Sequence, residues 1–340
     1  MKVASETKPP ESLTADLLRL RCPACRAPMG AVRRLSPAAF DAGRRCDSCS
    51  MHIRNQRGIW SAIAPEREKH FRQFVIEYEA VRAAEGRGSS TAAYYLALPF
   101  RDLTGRNQQQ WSIRARSFRH MEKHILPEFE RAMPALDILD LGAGNGWLDY
   151  RLTLRGHRPV AVDLLVNSSD GLGAASHYLE RLPTLFPRFQ AEFNRLPFAD
   201  WQFDCAIFNA SFHYSENYQT TLAEVIRCVR PGGWIVIADS PWYSKDESGQ
   251  RMLEERRERF VRTHGFASDS VQSEEYLTDA RMHALAERFG VNWQVHRTYY
   301  GLRWSMRPVI ARLKGKREPS EFRIYVAQVS HDHSLQSTRD

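Results

Sequence analysis

Residues 136–146 read LDILDLGAGNG, and this stretch decides the fold. Its first six residues form a short, mostly apolar run, as expected for a buried strand of a parallel sheet. The run passes directly into a glycine-rich turn, and residues 147–154 are predicted to form a helix. A strand, a glycine turn and a helix let a ligand approach bare backbone, because no Cβ atom stands in the way. The segment therefore predicts a Rossmann-like α/β domain with a ligand site at the turn.

A second predicted strand, residues 158–163, ends in Asp163, which follows Gly142 by 21 residues. A βαβ unit places an acidic residue at about this interval, where it accepts hydrogen bonds from the two ribose hydroxyls of a nucleotide. Two classes compete: a dinucleotide oxidoreductase and an S-adenosylmethionine-dependent methyltransferase. The dinucleotide fingerprint has a third glycine where this chain has Trp147. Asp140 would repel a pyrophosphate but suits the cationic aminoacyl end of S-adenosylmethionine, which favours the second class.

Residues 191–204, AEFNRLPFADWQFD, resemble a motif of class I methyltransferases of the ubiquinone/menaquinone-biosynthesis type. The resemblance continues through a fourth strand at 203–210 and a fifth strand at 230–239, and it covers roughly residues 110–245. It implies a Rossmann-like sheet of seven mostly parallel strands and S-adenosylmethionine as methyl donor. In that family an acid four residues before Leu-Pro-Phe accepts a hydrogen bond from the adenine amino group. This chain has Glu192 in that position, followed by Phe193, which offers a backbone N–H and a ring wall.

The glycine turn, the strand ends and this resemblance define the residues expected to bind the cofactor. They are Asp140, Gly142, Gly144, Gly146, Asp163, Glu192, Phe193 and Asn209.

Four of the six cysteines form two Cys-x2-Cys pairs separated by twenty residues: Cys22, Cys25, Cys46 and Cys49. This spacing is typical of a structural Zn²⁺ site, because two such pairs supply the four thiolates of a tetrahedral shell. The alternatives are two disulfides, which a reducing cytoplasm disfavours, or unrelated thiols. Residues 20–64 resemble the zinc-ribbon module fused to, or partnering, bacterial methyltransferases, apart from Trp60, where proline is usual. We expect the core of this module to be separate from that of the catalytic domain.

The remaining organisation follows from composition and pattern. We expect a flexible N-terminus at 1–19, the ribbon at 20–64, a helical linker that serves as a lid at 65–130, the methyltransferase domain with acceptor-site elements at 131–330, and a disordered tail at 331–340. The sequence has no apolar stretch of about 20 residues and no signal peptide, so a membrane-spanning protein is excluded and a cytoplasmic location is expected. Nothing in the sequence indicates the oligomeric state.

The methyl acceptor is the open question. The segment that contains the predicted cofactor-binding residues, 131–245, has 10 lysines and arginines and 12 acidic residues, whereas residues 1–60 have 11 lysines and arginines and five acidic residues. Residues 209–212 lack the Asn-Pro-Pro-Tyr type of signature found in nucleobase amino methyltransferases, and the fifth strand lacks a nucleophilic cysteine after it. We therefore expect a small-molecule or lipid-like acceptor, with His213 as the candidate general base.

Two other functions remain open. The first is an rRNA or tRNA methyltransferase that holds RNA with its basic zinc ribbon, an arrangement similar to that of a bacterial guanine-N1 rRNA methyltransferase. The second, an inactive scaffold, is disfavoured because the acids that would bind the cofactor are all present.

Overall fold

The computed structural model describes residues 17–34 and 43–330. Residues 1–16 of the expected flexible N-terminus and the whole expected tail, 331–340, lie outside the described residues. The strands within the described ranges are β1 Leu17–Arg21, β2 Pro28–Arg33, β3 Arg44–Arg45, β4 His52–Gln56, β5 Ile59–Ser61, β6 Asp137–Leu141, β7 Arg158–Asp163, β8 Arg188–Gln190, β9 Phe203–Asn209, β10 Val229–Ala238, β11 Pro241–Trp242, β12 Gln294–His296, β13 Glu321–Phe322 and β14 Ile324–Gln328.

The α-helices in the same ranges are α1 Pro65–Ala84, α2 Ala92–Ala97, α3 Gln108–His120, α4 Leu126–Ala132, α5 Trp147–Leu154, α6 Tyr218–Cys228, α7 Asp246–His264, α8 Asp279–Phe289, α9 Leu302–Ser305 and α10 Arg307–Leu313. A π-helical turn, Met121–Ile125, joins α3 to α4, and 3₁₀ helices cover Leu172–Glu180 and Phe212–Tyr214. Across residues 17–34 and 43–330, no helix is both long and apolar enough to cross a bilayer.

The centre of the molecule is a ten-stranded sheet with the order β12-β14-β10-β9-β6-β7-β8-β5-β4-β3. Five central strands run parallel to one another: β10, β9, β6, β7 and β8. At one edge, β14 pairs antiparallel with β10, and β12 pairs antiparallel with β14. All five residues of β6 are buried, as expected when helices cover both faces of a parallel sheet. The first seven strands in this order confirm the predicted mostly parallel, Rossmann-like fold.

The N-terminal segment extends this sheet instead of folding apart from it. Strand β5 pairs in parallel with β8, with Trp60 opposite Phe189, and β4 and β3 follow it outward. Leu18 and Leu20 of the β1–β2 hairpin belong to the same buried cluster as Phe189 and Phe198. The expectation of two separate cores is therefore wrong. The physical reason is that β8 has only three residues and an otherwise open edge, which the ribbon covers.

Helix α1 begins at Pro65, as the sequence predicts, with Glu66 and Glu68 in its first turn. Its apolar residues divide into two sets. Phe71 and Val81 are buried, whereas Phe74 and Tyr78 are half-buried, and Phe71, Phe74 and Tyr78 all line a cavity above the sheet. The helix therefore covers the carboxyl ends of the parallel strands.

Candidate active site

A cavity opens where the carboxyl ends of β6, β7 and β9 meet, the place where open α/β sheets bind ligands. It is roofed by α1 and α3. Six of the eight residues predicted to bind the cofactor line it: Gly142, Gly144, Asp163, Glu192, Phe193 and Asn209. The structure thus brings most of the predicted set to one cavity.

The glycine turn requires glycine for two reasons. Gly142, Gly144 and Gly146 have φ angles of 79°, 56° and 74°, a region that other residues rarely adopt. A Cβ atom on Gly142 would also collide with the side chain of Ser211, which follows β9. Gly146 differs from the other two, because its position faces Phe186 and Ala175 beneath the turn and not the cavity.

Asp163 is fixed at the end of β7. Its Oδ2 accepts a hydrogen bond from the Gly144 amide at 2.8 Å, and its Oδ1 accepts one from the Leu165 amide at 2.8 Å. Each carboxylate oxygen keeps a second lone pair, so the group can still accept from two hydroxyls. Burial raises the pKa of Asp163 to about 6, and the two backbone amides act against that rise. These properties fit a residue that holds a ribose.

Glu192 follows β8, the strand next to β7, and only 4% of its surface is exposed. Its Oε2 accepts a hydrogen bond from Arg67 Nε at 2.9 Å. Its Oε1 is buried and has no hydrogen-bond partner, which leaves an acceptor for an N–H group of a ligand. Phe193 follows it and packs edge-on against Phe208 at a ring distance of 5.4 Å. This orphaned oxygen fits the adenine amino group that the resemblance implies.

Sequence reasoning missed the polar residues that α1 and its surroundings contribute. Arg67 pairs with both Glu192 and Glu216, and His70 Nε2 lies 2.7 Å from Glu216. Further along the helix, Arg82 Nε lies 2.5 Å from a carboxylate oxygen of Asp170, and both residues line the cavity. Their only signal in the sequence is their spacing on one helix, because their partners lie 88 to 149 residues away along the chain.

Asp140 lies beneath the glycine turn and does not line the cavity. It is 1% exposed and neighbours Asp149 of α5, which is fully buried. Burial raises the pKa of Asp140 to about 7, and it raises the pKa of Asp149 well above its ordinary value, with the Asp140 charge adding to the rise. Two adjacent buried carboxyls share protons, because both cannot ionise cheaply.

His213 faces a second cavity. This cavity is bounded by α1, α3, the loop after β9 and the region of α9 and α10. The Nδ1 atom of His213 lies 3.3 Å from Ser240 Oγ, and burial lowers the pKa of the imidazole to about 4. The side chain is therefore neutral at physiological pH.

The four cysteines of the two pairs come together at the ribbon. All four Sγ atoms lie within 4.8 Å of one another, and the Cys22–Cys49 and Cys25–Cys46 sulfurs are 3.5 Å apart. A Zn²⁺ ion with Zn–S bonds of about 2.3 Å places its sulfurs about 3.8 Å apart. The thiol cluster therefore fits a tetrahedral zinc shell.

Part of this chain is similar to a known family of protein domains. Residues 139–237 match the family model described as a methyltransferase domain, so the chain contains such a domain. This stretch runs from β6 into β10 and includes the glycine turn, Asp163 and Glu192.

Two curated relatives are similar to this chain at identities of 26% and 28%. A malonyl-[acyl-carrier protein] O-methyltransferase of Erwinia pyrifoliae is 28% identical over 137 residues, 39% of this chain and 48% of the relative. A demethylmenaquinone methyltransferase of Mycobacterium bovis is 26% identical over 175 residues, 51% of this chain and 70% of the relative. The chain thus spans about half the length of the Erwinia relative.

Among solved structures, an S-adenosylmethionine-dependent methyltransferase from Mesorhizobium loti has a TM-score of 0.39 and 17% identity, over 59% of this chain and 96% of that one.

Proposed function

We propose that this protein is an S-adenosylmethionine-dependent methyltransferase of a small-molecule or lipid-like acceptor. The observation that carries the proposal is that Asp163 and Glu192, whose Oε1 has no hydrogen-bond partner, line one cavity together with Gly142 and Gly144 of the glycine turn. Asp163 would bind the ribose hydroxyls of the cofactor, and Glu192 and Phe193 would bind its adenine. The glycine turn and Asn209 would contact the remaining part of the cofactor. When bound, the cofactor supplies an electrophilic methyl group, and the protein contributes orientation and exclusion of water.

The acceptor class is supported by three features. The second cavity touches the first along a common wall and is lined by aromatic side chains, as apolar-bodied ligands require. The relatives' names specify malonyl-[acyl-carrier protein] and demethylmenaquinone, neither of which is a nucleic acid. Helix α3, the loop that carries His213, and helices α9 and α10 all contribute residues to this cavity.

Part of the basic charge of the ribbon, which favours RNA as the alternative acceptor, is used inside the molecule, because three of the nine arginines at residues 17–34 and 43–60 pair with acids of the predicted methyltransferase domain. Arg21 lies 2.7 Å from Asp200, Arg26 lies 2.5 Å from Glu224, and Arg34 lies 3.2 Å from Asp137. Arginines committed to internal ion pairs are poor contacts for phosphates, because binding RNA would require breaking those pairs. This pairing weakens the RNA alternative.

We also propose that Cys22, Cys25, Cys46 and Cys49 bind one structural Zn²⁺ ion as thiolates. Its role is to hold the two cysteine pairs together, so that the ribbon keeps the shape in which it pairs with β8.

The test of the acceptor class uses methyl-labelled S-adenosylmethionine, the purified protein and a cell extract separated into RNA, protein and small-molecule or lipid fractions. We expect label in the small-molecule or lipid fraction. Label at a unique position in rRNA or tRNA would establish the alternative instead.

A matched variant controls the assay. Asp163→Asn removes a charge at the cavity with little change in volume, and it should lower labelling by about tenfold to a hundredfold at subsaturating S-adenosylmethionine. Glu287→Gln removes a charge from a side chain of α8 that is 71% exposed, and labelling should persist.

A further inference from the structure

The two cavities share a wall. Six residues line both of them: Phe74, Tyr78, Arg82, Arg114, Ala210 and Tyr214. The second cavity is therefore directly adjacent to the first. The chemistry of the second cavity consequently reports on the acceptor, given the proposed function on which this inference rests.

Positively charged groups outnumber negatively charged ones around the second cavity. Five arginines line it, Arg82, Arg87, Arg114, Arg256 and Arg307, against three acids, Glu85, Asp239 and Glu275.

Three of these arginines are neutralised by neighbours. Arg82 pairs with Asp170, Arg87 lies 3.0 Å from Glu85, and Arg256 pairs with both oxygens of Glu275 at 2.5 Å.

The two remaining arginines have no carboxylate within ion-pair distance in residues 17–34 and 43–330. Arg307 donates to the Ser320 carbonyl and stacks on Trp304, 3.1 Å from the ring centre. Arg114 lies 4.9 Å from the ring centre of Trp111.

Arg114 has the stronger need for an anionic ligand. Partial burial lowers the pKa of its guanidinium, and the nearby charges of Arg82 and Arg87 lower it further, whereas the charge of Asp239 raises it. Asp239 lies beyond ion-pair distance, so a carboxylate in direct contact with the guanidinium would stabilise a cation that is partly removed from water. The guanidinium fork matches a carboxylate, which can accept two parallel hydrogen bonds.

We propose that the methyl acceptor is an organic acid whose carboxylate pairs with Arg114 and whose apolar body packs against the aromatic wall of Phe260, Trp304 and Phe322. The methionine carboxylate of the cofactor is the other group that could pair with Arg114, because Arg114 also lines the first cavity. The acceptor is favoured, since Arg87 and Asp239, whose charges act on Arg114, line the second cavity and not the first.

The test measures binding of two probes to protein saturated with S-adenosylhomocysteine, by calorimetry. The probes are 2-naphthoate and its neutral counterpart 2-naphthamide. We expect wild-type protein to bind the carboxylate at least tenfold more tightly than the amide. Arg114→Gln should weaken naphthoate binding by about tenfold to a hundredfold and leave the amide unchanged. Arg114→Lys keeps the positive charge but not the two parallel donors of the guanidinium, so it should weaken naphthoate binding less than Arg114→Gln does.

The matched control is Arg119→Gln, on the same helix, where the guanidinium lies over Phe100 and lines neither cavity. It should bind naphthoate like wild type. Thermal denaturation of each variant confirms that it is folded before binding is compared.

Several outcomes would overturn the proposal. Equal binding of the two probes, no naphthoate binding, or undiminished binding by folded Arg114→Gln would each do so. If Arg114→Gln weakens S-adenosylhomocysteine but not 5′-methylthioadenosine, which lacks the carboxylate, Arg114 serves the cofactor instead. If wild-type protein does not bind S-adenosylhomocysteine, the proposed function is refuted, independently of the role of Arg114. The binding of naphthoate and naphthamide would then be compared in protein without S-adenosylhomocysteine.

Discussion

Arg26 Nη1 lies 2.5 Å from Glu224 Oε1 and thereby joins the first cysteine pair to helix α6. The same Glu224 oxygen accepts a hydrogen bond from the Leu196 amide at 2.8 Å, and Arg26 Nη2 donates to the Asn194 carbonyl at 3.0 Å. The segment that carries Glu192 is therefore held between α6 and the ribbon. The ribbon supports the cofactor cavity as well as closing the edge of the sheet.

The first prediction tests this support. Arg26→Gln should weaken binding of S-adenosylhomocysteine by about threefold to tenfold, because a charged hydrogen bond that orders residues 192–196 is lost. Calorimetry measures the effect. Arg54→Gln, at an exposed position of β4, is the control and should bind normally. Equal affinities for the two variants would show that the ribbon does not act on the cavity.

The second prediction concerns the metal. The protein should contain one zinc per chain by mass spectrometry, and Cys46→Ser should lose it. Structural zinc contributes on the order of 10 kcal/mol to such modules. Because the ribbon shares its core with β8, the loss should lower the melting temperature of the whole chain and weaken cofactor binding.

Cys228→Ala is the control for the metal prediction, since Cys228 is buried in α6 outside the thiol cluster. It should retain zinc. Reduced, freshly purified wild-type protein without zinc would refute the metal site.

The third prediction concerns pH. Ribose hydroxyls donate hydrogen bonds, so they bind the ionised form of Asp163. The pKa of this carboxyl is about 6, so the ionised fraction falls as pH drops below that value. Affinity for S-adenosylhomocysteine should decrease about tenfold from pH 7.5 to pH 5, whereas Asp163→Asn should bind weakly at both. A wild-type affinity independent of pH over this range would contradict the role of Asp163.

The fourth prediction concerns His213. Burial lowers the pKa of His213 to about 4, so NMR should find its ring neutral at pH 5.5. The unfolded chain binds this proton below about pH 6.5 and the folded chain only below about 4. The unfolding free energy should therefore fall as pH drops through this window, by about 3 kcal/mol at most.

His213→Gln should remove most of that pH dependence. A protonated His213 at pH 5.5 would contradict the burial argument.

Local signals in the sequence were sufficient for much of the fold and the site. Residues 136–146 combine an apolar run with three glycines, and this pattern specifies a strand and a turn without reference to the rest of the chain. Asp163 could be placed because a βαβ unit has a nearly fixed length. The cysteine pairs could be read as one cluster because zinc imposes its own geometry on their spacing.

Features that depend on distant partners could not be predicted. The pairing of Trp60 with Phe189 joins residues 129 positions apart, and neither strand shows its partner in its own pattern. The Arg67–Glu192 ion pair is equally remote. Asp140 was placed near the ligand because it precedes the turn, but side chains alternate along a strand, and this one points into the layer that holds Asp149.

The most direct test of the central claim is calorimetric titration of wild-type protein and Asp163→Ala with S-adenosylmethionine and with NAD⁺. We expect wild-type protein to bind S-adenosylmethionine and to bind NAD⁺ much more weakly or not at all, and we expect Asp163→Ala to weaken S-adenosylmethionine binding by about tenfold to a hundredfold. Tighter binding of NAD⁺, or undiminished affinity in Asp163→Ala, would contradict the central claim.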